Sequence, residues 1–276
     1  MIELHVLWQA LILGILQGLT EFLPVSSSAH LILFPWMLQW NHPLIDSLIF
    51  DVALHAGTLI AILWYFWVDW LNLIKGFFRI LIHRRIHDSP DRLILYILLA
   101  SFPAGIAGLF LEKLIEGSFR NPALIVVPLI IVSFIMILAE KKAERVRTLP
   151  QISLKDSFLI GTAQALALFP GVSRSGITIT TGLFLGYNRE AATRFSFLLS
   201  TPAIGGAALL QSRHLLQSGI GAEWPVFAIG LFSSTLVGYV AIAFLMRYLR
   251  NHTLNIFAGY RLILSAIVIS IILGRG

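Results

Sequence analysis

The stretch LQGLTEFLPVSSSAH, residues 16–30, decides how the chain is read. It lies within an apolar run, yet its middle holds Glu21, Pro24 and three consecutive serines, Ser26, Ser27 and Ser28. Proline lacks an N–H and crowds the preceding turn, so it ends or kinks a helix. In lipid, an exposed break leaves backbone groups without partners. It survives only where protein buries it or where it lines a wet cavity. A second stretch has the same construction: PGVSRSGIT, residues 170–178, interrupts the apolar run 155–187 as the first interrupts 6–40. Both runs read as re-entrant helix hairpins.

Composition places these runs in a membrane. Of 276 residues, 57% are hydrophobic and 12% charged, whereas a soluble domain carries about 25% charged residues. Mean hydropathy is +0.84. A soluble enzyme, a disordered tail and a nucleic-acid module are poor fits, so the net charge of +6 belongs to loops. A spanning helix needs about 20 mostly apolar residues. Six segments qualify: 50–68, 93–111, 122–139, 194–212, 225–246 and 256–273. The expected fold class is an all-α integral membrane protein with six full transmembrane helices and two re-entrant hairpins. There is no cysteine, hence no disulfide, thiol nucleophile or thiolate metal site. The first residues, MIELHVLW, lack a basic region, and no cleaved signal is expected.

If each hairpin enters and leaves on one face, loops 69–92, 140–155, 188–194 and 247–255 share a side. They carry fourteen Lys and Arg, against four opposite: Lys113, Arg120, Arg213 and Arg275. The basic side is cytoplasmic by the positive-inside rule, so both termini are expected to face outward. Trp64, Trp67 and Trp70 read as an aromatic belt. Arg261, inside the last span, reads as a residue snorkelling to the interface.

A shift of 147 residues aligns the two breaks without a gap. Gly14, Gln17, Leu19, Phe22, Val25, Ser26 and Ser28 fall on Gly161, Gln164, Leu166, Phe169, Val172, Ser173 and Ser175. Each half, 1–147 and 148–276, then carries one hairpin and three spans. Three is odd, so the second half is expected upside down. Such inverted repeats place a site where their broken helices meet.

Gln17 and Glu21 are four apart and share a helix face. An ionisable group at mid-membrane costs roughly 2.5–3.5 kcal/mol on insertion scales. Glu21 and Arg174 are therefore expected to meet each other or a charged ligand. Hydroxyls of Ser26, Ser28, Ser173 and Ser175, with backbone N–H groups at helix starts, make anion-binding loops. Arg174 adds a fork that suits phosphate, and two facing loops suit a diphosphate. Glu21 would then need a proton or a divalent cation, Mg²⁺ or Ca²⁺, held with Gln17 and phosphate oxygens. His30 alone is ordinarily a packing residue. Beside the serines it becomes a candidate acid, base or nucleophile. Asp51 and His55, four apart on the next span, are candidates for a supporting role.

These two runs together, LQGLTEFLPVSSSAH and PGVSRSGIT, resemble the signature motifs of bacterial undecaprenyl-diphosphatases of the bacitracin-resistance type, and the likeness extends over essentially the whole chain. The resemblance implies Glu21, Ser26, Ser27, Ser28, His30, Ser173, Arg174 and Ser175 as site residues. It also implies a divalent cation, a polyprenyl diphosphate substrate and an outward-facing pocket in the cytoplasmic membrane. The implied reaction hydrolyses undecaprenyl diphosphate to the monophosphate and phosphate. That recycles the carrier of peptidoglycan synthesis and confers bacitracin resistance. Ser27 activated by His30, His30 itself, or water would attack. Many members have glutamate where this chain has Gln17, which puts a two-carboxylate cation site in doubt. Expected partners are the lipid substrate and the membrane, with no nucleic acid; a homodimer stays open. The rival reading is an inverted-repeat transporter or polyprenyl-phosphate flippase. A carrier, however, needs no paired nucleophile and base.

Overall fold

The computed structural model describes residues 3–86, 89–118, 121–218 and 223–275; Arg120 of the charge count lies outside them. Eleven α-helices occur among the described residues. They are α1 (Leu4–Phe22), α2 (Ser27–Leu38), α3 (Leu48–Tyr65), α4 (Trp67–His83), α5 (Ser89–Ser118), α6 (Pro122–Lys142), α7 (Leu154–Ala165), α8 (Arg174–Phe184), α9 (Arg189–Ser218), α10 (Trp224–Tyr248) and α11 (Asn255–Arg275). Five are long and apolar enough to cross a membrane: α1, the stretch Asp91–Leu111 of α5, α6, α10 and α11. The number is six if α3 and α4, bent by 80° at their junction, count as one span.

Three elements differ from expectation. Residues 69–83, expected within a loop, belong to α4. Asp69, Lys75 and Arg79 suggested a loop, yet apolar residues recur between them at helical spacing. Leu73 is buried, while Trp67, Val68, Leu71, Ile74 and Phe78 lie outward. Helix α9, expected to span, is not among the span-length apolar helices of the described residues, whereas α1, expected inside a hairpin, is.

Helix α1 packs along α10 and α7 along α5; α3 and α9 touch, as do α6 and α11. Small residues set these approaches. A Cβ on Gly18 of α1 would stand 2.7 Å from Gly238 N and 2.8 Å from Ser234 O. One on Gly161 of α7 would overlap the Ala100 carbonyl of α5. This is the close backbone contact that small-xxx-small spacing permits.

The two breaks are built alike. Ser26 caps α2 with φ 78°, and Ser173 caps α8 with φ 73°. Each hydroxyl accepts from the N–H three residues on, Ala29 at 3.4 Å and Gly176 at 3.1 Å. The breaks are also bonded to each other. Gly171 N–H donates to Ser26 Oγ at 3.1 Å, and Ser175 Oγ donates to Leu23 O at 3.1 Å.

Arg261 overturns the snorkelling expectation. It is wholly buried and reaches inward from α11. Its Nη2 donates to Gly171 O at 2.8 Å and to Pro128 O at 3.2 Å. Its Nη1 donates to Val172 O at 3.2 Å and to Pro24 O at 3.5 Å, and its Nε to Ser133 Oγ at 3.1 Å. The bends free carbonyls that need donors, and one guanidinium serves both breaks. The Arg261→Met variant keeps length and loses every donor. Buried groups left unpaired cost about 1–3 kcal/mol each. Thermal denaturation in detergent is expected to show a loss of at least about 3 kcal/mol, with Arg261→Lys recovering part of it.

At the start of α7, Asp156 accepts from Ser153 Oγ at 2.6 Å, Arg147 Nη2 at 2.7 Å and Tyr187 Oη at 2.8 Å. Burial pushes its carboxyl up, but these donors, Arg147 foremost, outweigh burial and hold it below its ordinary value. A depressed carboxylate stabilises fully above its unfolded pKa, about 4, and loses that contribution as pH falls through the folded pKa. Melting temperature measured from pH 6 to pH 3 should therefore fall at the acid end, and fall less in Asp156→Asn.

Candidate functional site

The end of α1, the start of α2 and the start of α8 meet at a cavity of about 460 Å³. Helix α1 brings Gln17 and Glu21 on one face. The turn after Pro24 points the capped start of α2, with Ser27 and Ser28, back at them. Glu21 is the hub. Its Oε2 accepts from Ser27 Oγ at 2.5 Å and from Gln17 Nε2 at 3.1 Å. Its Oε1 takes Arg174 Nη2 in a direct ion pair that joins the two breaks. The second guanidinium nitrogen, Nη1, donates to Ser200 O at 3.4 Å. His55 Nε2 lies 3.9 Å from Glu21 Oε2, and His55 Nδ1 donates to Asp51 O at 2.8 Å. Asp51 thus enters through its main chain.

The carboxylate is 2% exposed and the guanidinium 18%. Each is the other's compensation, because removing one partner of a buried pair strands the other charge. The walls beyond this polar end are apolar: Ala104, Leu109, Leu168, Ile204 and Ala207 line them.

The expected residues divide into three groups. Glu21, Ser26, Ser27, Ser28, His55, Ser173 and Arg174 line the cavity, and Gln17 touches it through Glu21. Ser26 and Ser175 spend their hydroxyls on the other break, while Ser28 Oγ lies 3.2 Å from Ser26 Oγ and Ser173 Oγ 3.3 Å from Ser175 Oγ. His30 faces elsewhere. Its Nδ1 donates to Ser26 O at 2.7 Å, its Nε2 meets Tyr260 Oη at 2.7 Å, and its ring lies parallel to Tyr260. Among the described residues, the carboxylate bonded to Ser27 is Glu21, and no bond links His30 to Ser27.

Ser101 and Gln164 also line the cavity and were not singled out as site residues. Each is a polar residue in an apolar helix, and Gln164 is aligned with Gln17, a signal that was available. Arg261, a charge inside an apolar span, is conspicuous, but apart from Ser133 Oγ its acceptors are carbonyls, which every residue has.

No group of three or more His, Asp or Glu gathers as a metal cluster among the described residues. Gln17 Oε1, however, is buried without a partner beside Glu21. One carboxylate and one amide oxygen fit a hard cation whose shell substrate phosphates complete.

The family model for the bacitracin resistance protein BacA matches residues 10–267. The undecaprenyl-diphosphatase of Thermodesulfovibrio yellowstonii is 47% identical over 262 residues, 95% of this chain and 96% of the relative. That of Thermomicrobium roseum is 46% identical over 274 residues, 96% and 98%. That of Desulforudis audaxviator is 45% identical over 269 residues, 98% and 99%. A match of this extent carries both broken helices and every residue of the cavity, and the chain belongs to the bacitracin resistance protein BacA family.

Proposed function

We propose that this chain hydrolyses undecaprenyl diphosphate to undecaprenyl phosphate and inorganic phosphate. The observation that carries this reading is the convergence of Glu21, Ser27 and Arg174, from two broken helices, at the polar end of an otherwise apolar cavity. The relatives bear the name of that activity. The apolar walls suit the polyprenyl chain, and the polar end suits its head. In cells, the reaction returns the lipid carrier to peptidoglycan synthesis and confers bacitracin resistance.

Without substrate, Arg174 is neutralised by Glu21. A diphosphate offers the guanidinium a better bidentate partner and frees the carboxylate. Glu21 already accepts the Ser27 hydroxyl hydrogen bond, so it is placed to take that proton. Ser27 Oγ attacks the terminal phosphorus, the bond to the bridging oxygen breaks, and undecaprenyl phosphate leaves. Water then releases phosphate from the phosphoserine. Arg174 stabilises the charge on the transferring group, which is most of what such catalysis requires. As phosphate leaves, Glu21 returns its proton to Ser27 Oγ, and His55 Nε2, 3.9 Å from Glu21 Oε2, stands beside that carboxylate. Attack by His30 would require its ring to leave Ser26 O and Tyr260, and direct attack by water would use the same carboxylate. Glu21 and Gln17 Oε1 would hold a divalent cation, Mg²⁺ or Ca²⁺, whose charge offsets that of the diphosphate.

The same proposal includes the finer architecture: two inverted repeats, 1–147 and 148–276, whose broken helices are re-entrant. It sets the chain in the bacterial cytoplasmic membrane, with cavity and termini facing outward. The matched caps at Ser26 and Ser173, the reciprocal packing of α1 on α10 and α7 on α5, and the basic loops support it.

Purified protein in detergent, without any gradient, is expected to release phosphate from undecaprenyl diphosphate. Arg174→Ala and Glu21→Gln should each lower kcat by at least ~100-fold, the scale of losing one charge-stabilising group. Intact release in both variants would overturn the assignment. Trapping a phospho-enzyme and mapping it by mass spectrometry is expected to find Ser27; a label on His30, or none, would redirect the attack to His30 or to water.

A further inference from the structure

Gln164 stands four residues before Leu168 on the second broken helix, as Gln17 stands four before Glu21 on the first. In the first case the amide is partnered, with Gln17 Nε2 donating to Glu21 Oε2 at 3.1 Å. In the second, leucine occupies the partner position. Gln164 is 2% exposed, and both its Oε1 and its Nε2 lack a hydrogen-bond partner among the described residues. Both Gln164 and Leu168 line the cavity that holds Glu21, Ser27 and Arg174.

A buried amide with neither atom paired is costly, and an apolar residue of the same size would remove the cost. Its place in the wall of the cavity that also holds Glu21, Ser27 and Arg174 supplies the reason to keep it, because a ligand there pairs what the protein leaves open. A neutral donor also suits this position electrostatically. Glu21 and Arg174 already cancel, so a second carboxylate at 164 would repel an incoming diphosphate.

We infer that Gln164 is a substrate contact, its Nε2–H donating to a phosphate oxygen of the bound lipid diphosphate. This rests on the phosphatase reading above and deepens it by assigning the second broken helix a ligand-binding amide as well as Arg174. The aligned residue Gln17 serves the carboxylate, and Gln164 serves the substrate.

The test compares wild type with Gln164→Met, close in size and without the amide, and with Gln164→Glu. Two readouts are taken: apparent melting temperature of the substrate-free protein, and KM and kcat for undecaprenyl diphosphate. For Gln164→Met the melting temperature is expected to equal or exceed that of wild type, since an unpaired polar group has been removed. KM is expected to rise ~10-fold, the scale of a hydrogen bond to a charged group, with kcat little changed. Gln164→Glu should raise KM further. A lowered melting temperature with unchanged KM would make the amide structural, and no change in either would make it idle. Both results overturn the inference, while phosphate release by wild type and its loss in Arg174→Ala leave the phosphatase reading standing. Absence of release by wild type would sink both.

Discussion

The molecule depends on satisfying the backbone where two helices are broken inside apolar surroundings. Each break frees N–H and carbonyl groups that lipid cannot serve. Serine caps take the N–H groups, and Arg261 takes carbonyls from Pro24, Gly171 and Val172 at once. With that accounting closed, helix starts sit in the interior, and their first residues, Ser27 and Arg174, become available for chemistry. The polar end of the cavity is a by-product of solving a backbone problem.

Charge follows the same economy. Glu21 and Arg174 come from opposite halves of the chain, and neither is tolerable alone in that setting. Gln17 supports the carboxylate through a neutral amide, so the resting cavity has one negative and one positive group rather than an excess of either. Under the proposed function, a dianionic or trianionic head group would enter by exchange, replacing one salt bridge with another.

Much of this was legible in the sequence, because membranes penalise exceptions. Pro24, Glu21 and Arg174 are expensive where they stand, and that expense points to a shared site. The aligned serines and glycines likewise anticipated two breaks of one kind. Helix α4 was harder, since Asp69, Lys75 and Arg79 mimic a loop when an amphipathic helix lies at the edge of the bundle. His30 was harder still, whereas His55 was already a candidate for a supporting role. His30 is close to Ser27 along the chain, yet its ring is claimed by Tyr260, 230 residues away. His55, remote in sequence, arrives beside Glu21 because α3 packs against α1 and α10. Proximity along a chain is not proximity in a bundle, and partners supplied by a distant helix leave no local pattern.

The cross-bonding of the two breaks bears on motion. An alternating-access carrier must part its halves near mid-depth, so that cargo reached from one side is released to the other. Here that seam is sewn shut by Ser26 to Gly171, by Ser175 to Leu23 and by a guanidinium gripping both edges. Opening it would strand several backbone groups at once in a dry interior. The bonds are densest where a rocking mechanism would have to break them, and they hold Ser27 and Arg174, the first residues of the two inner helices, in one fixed register.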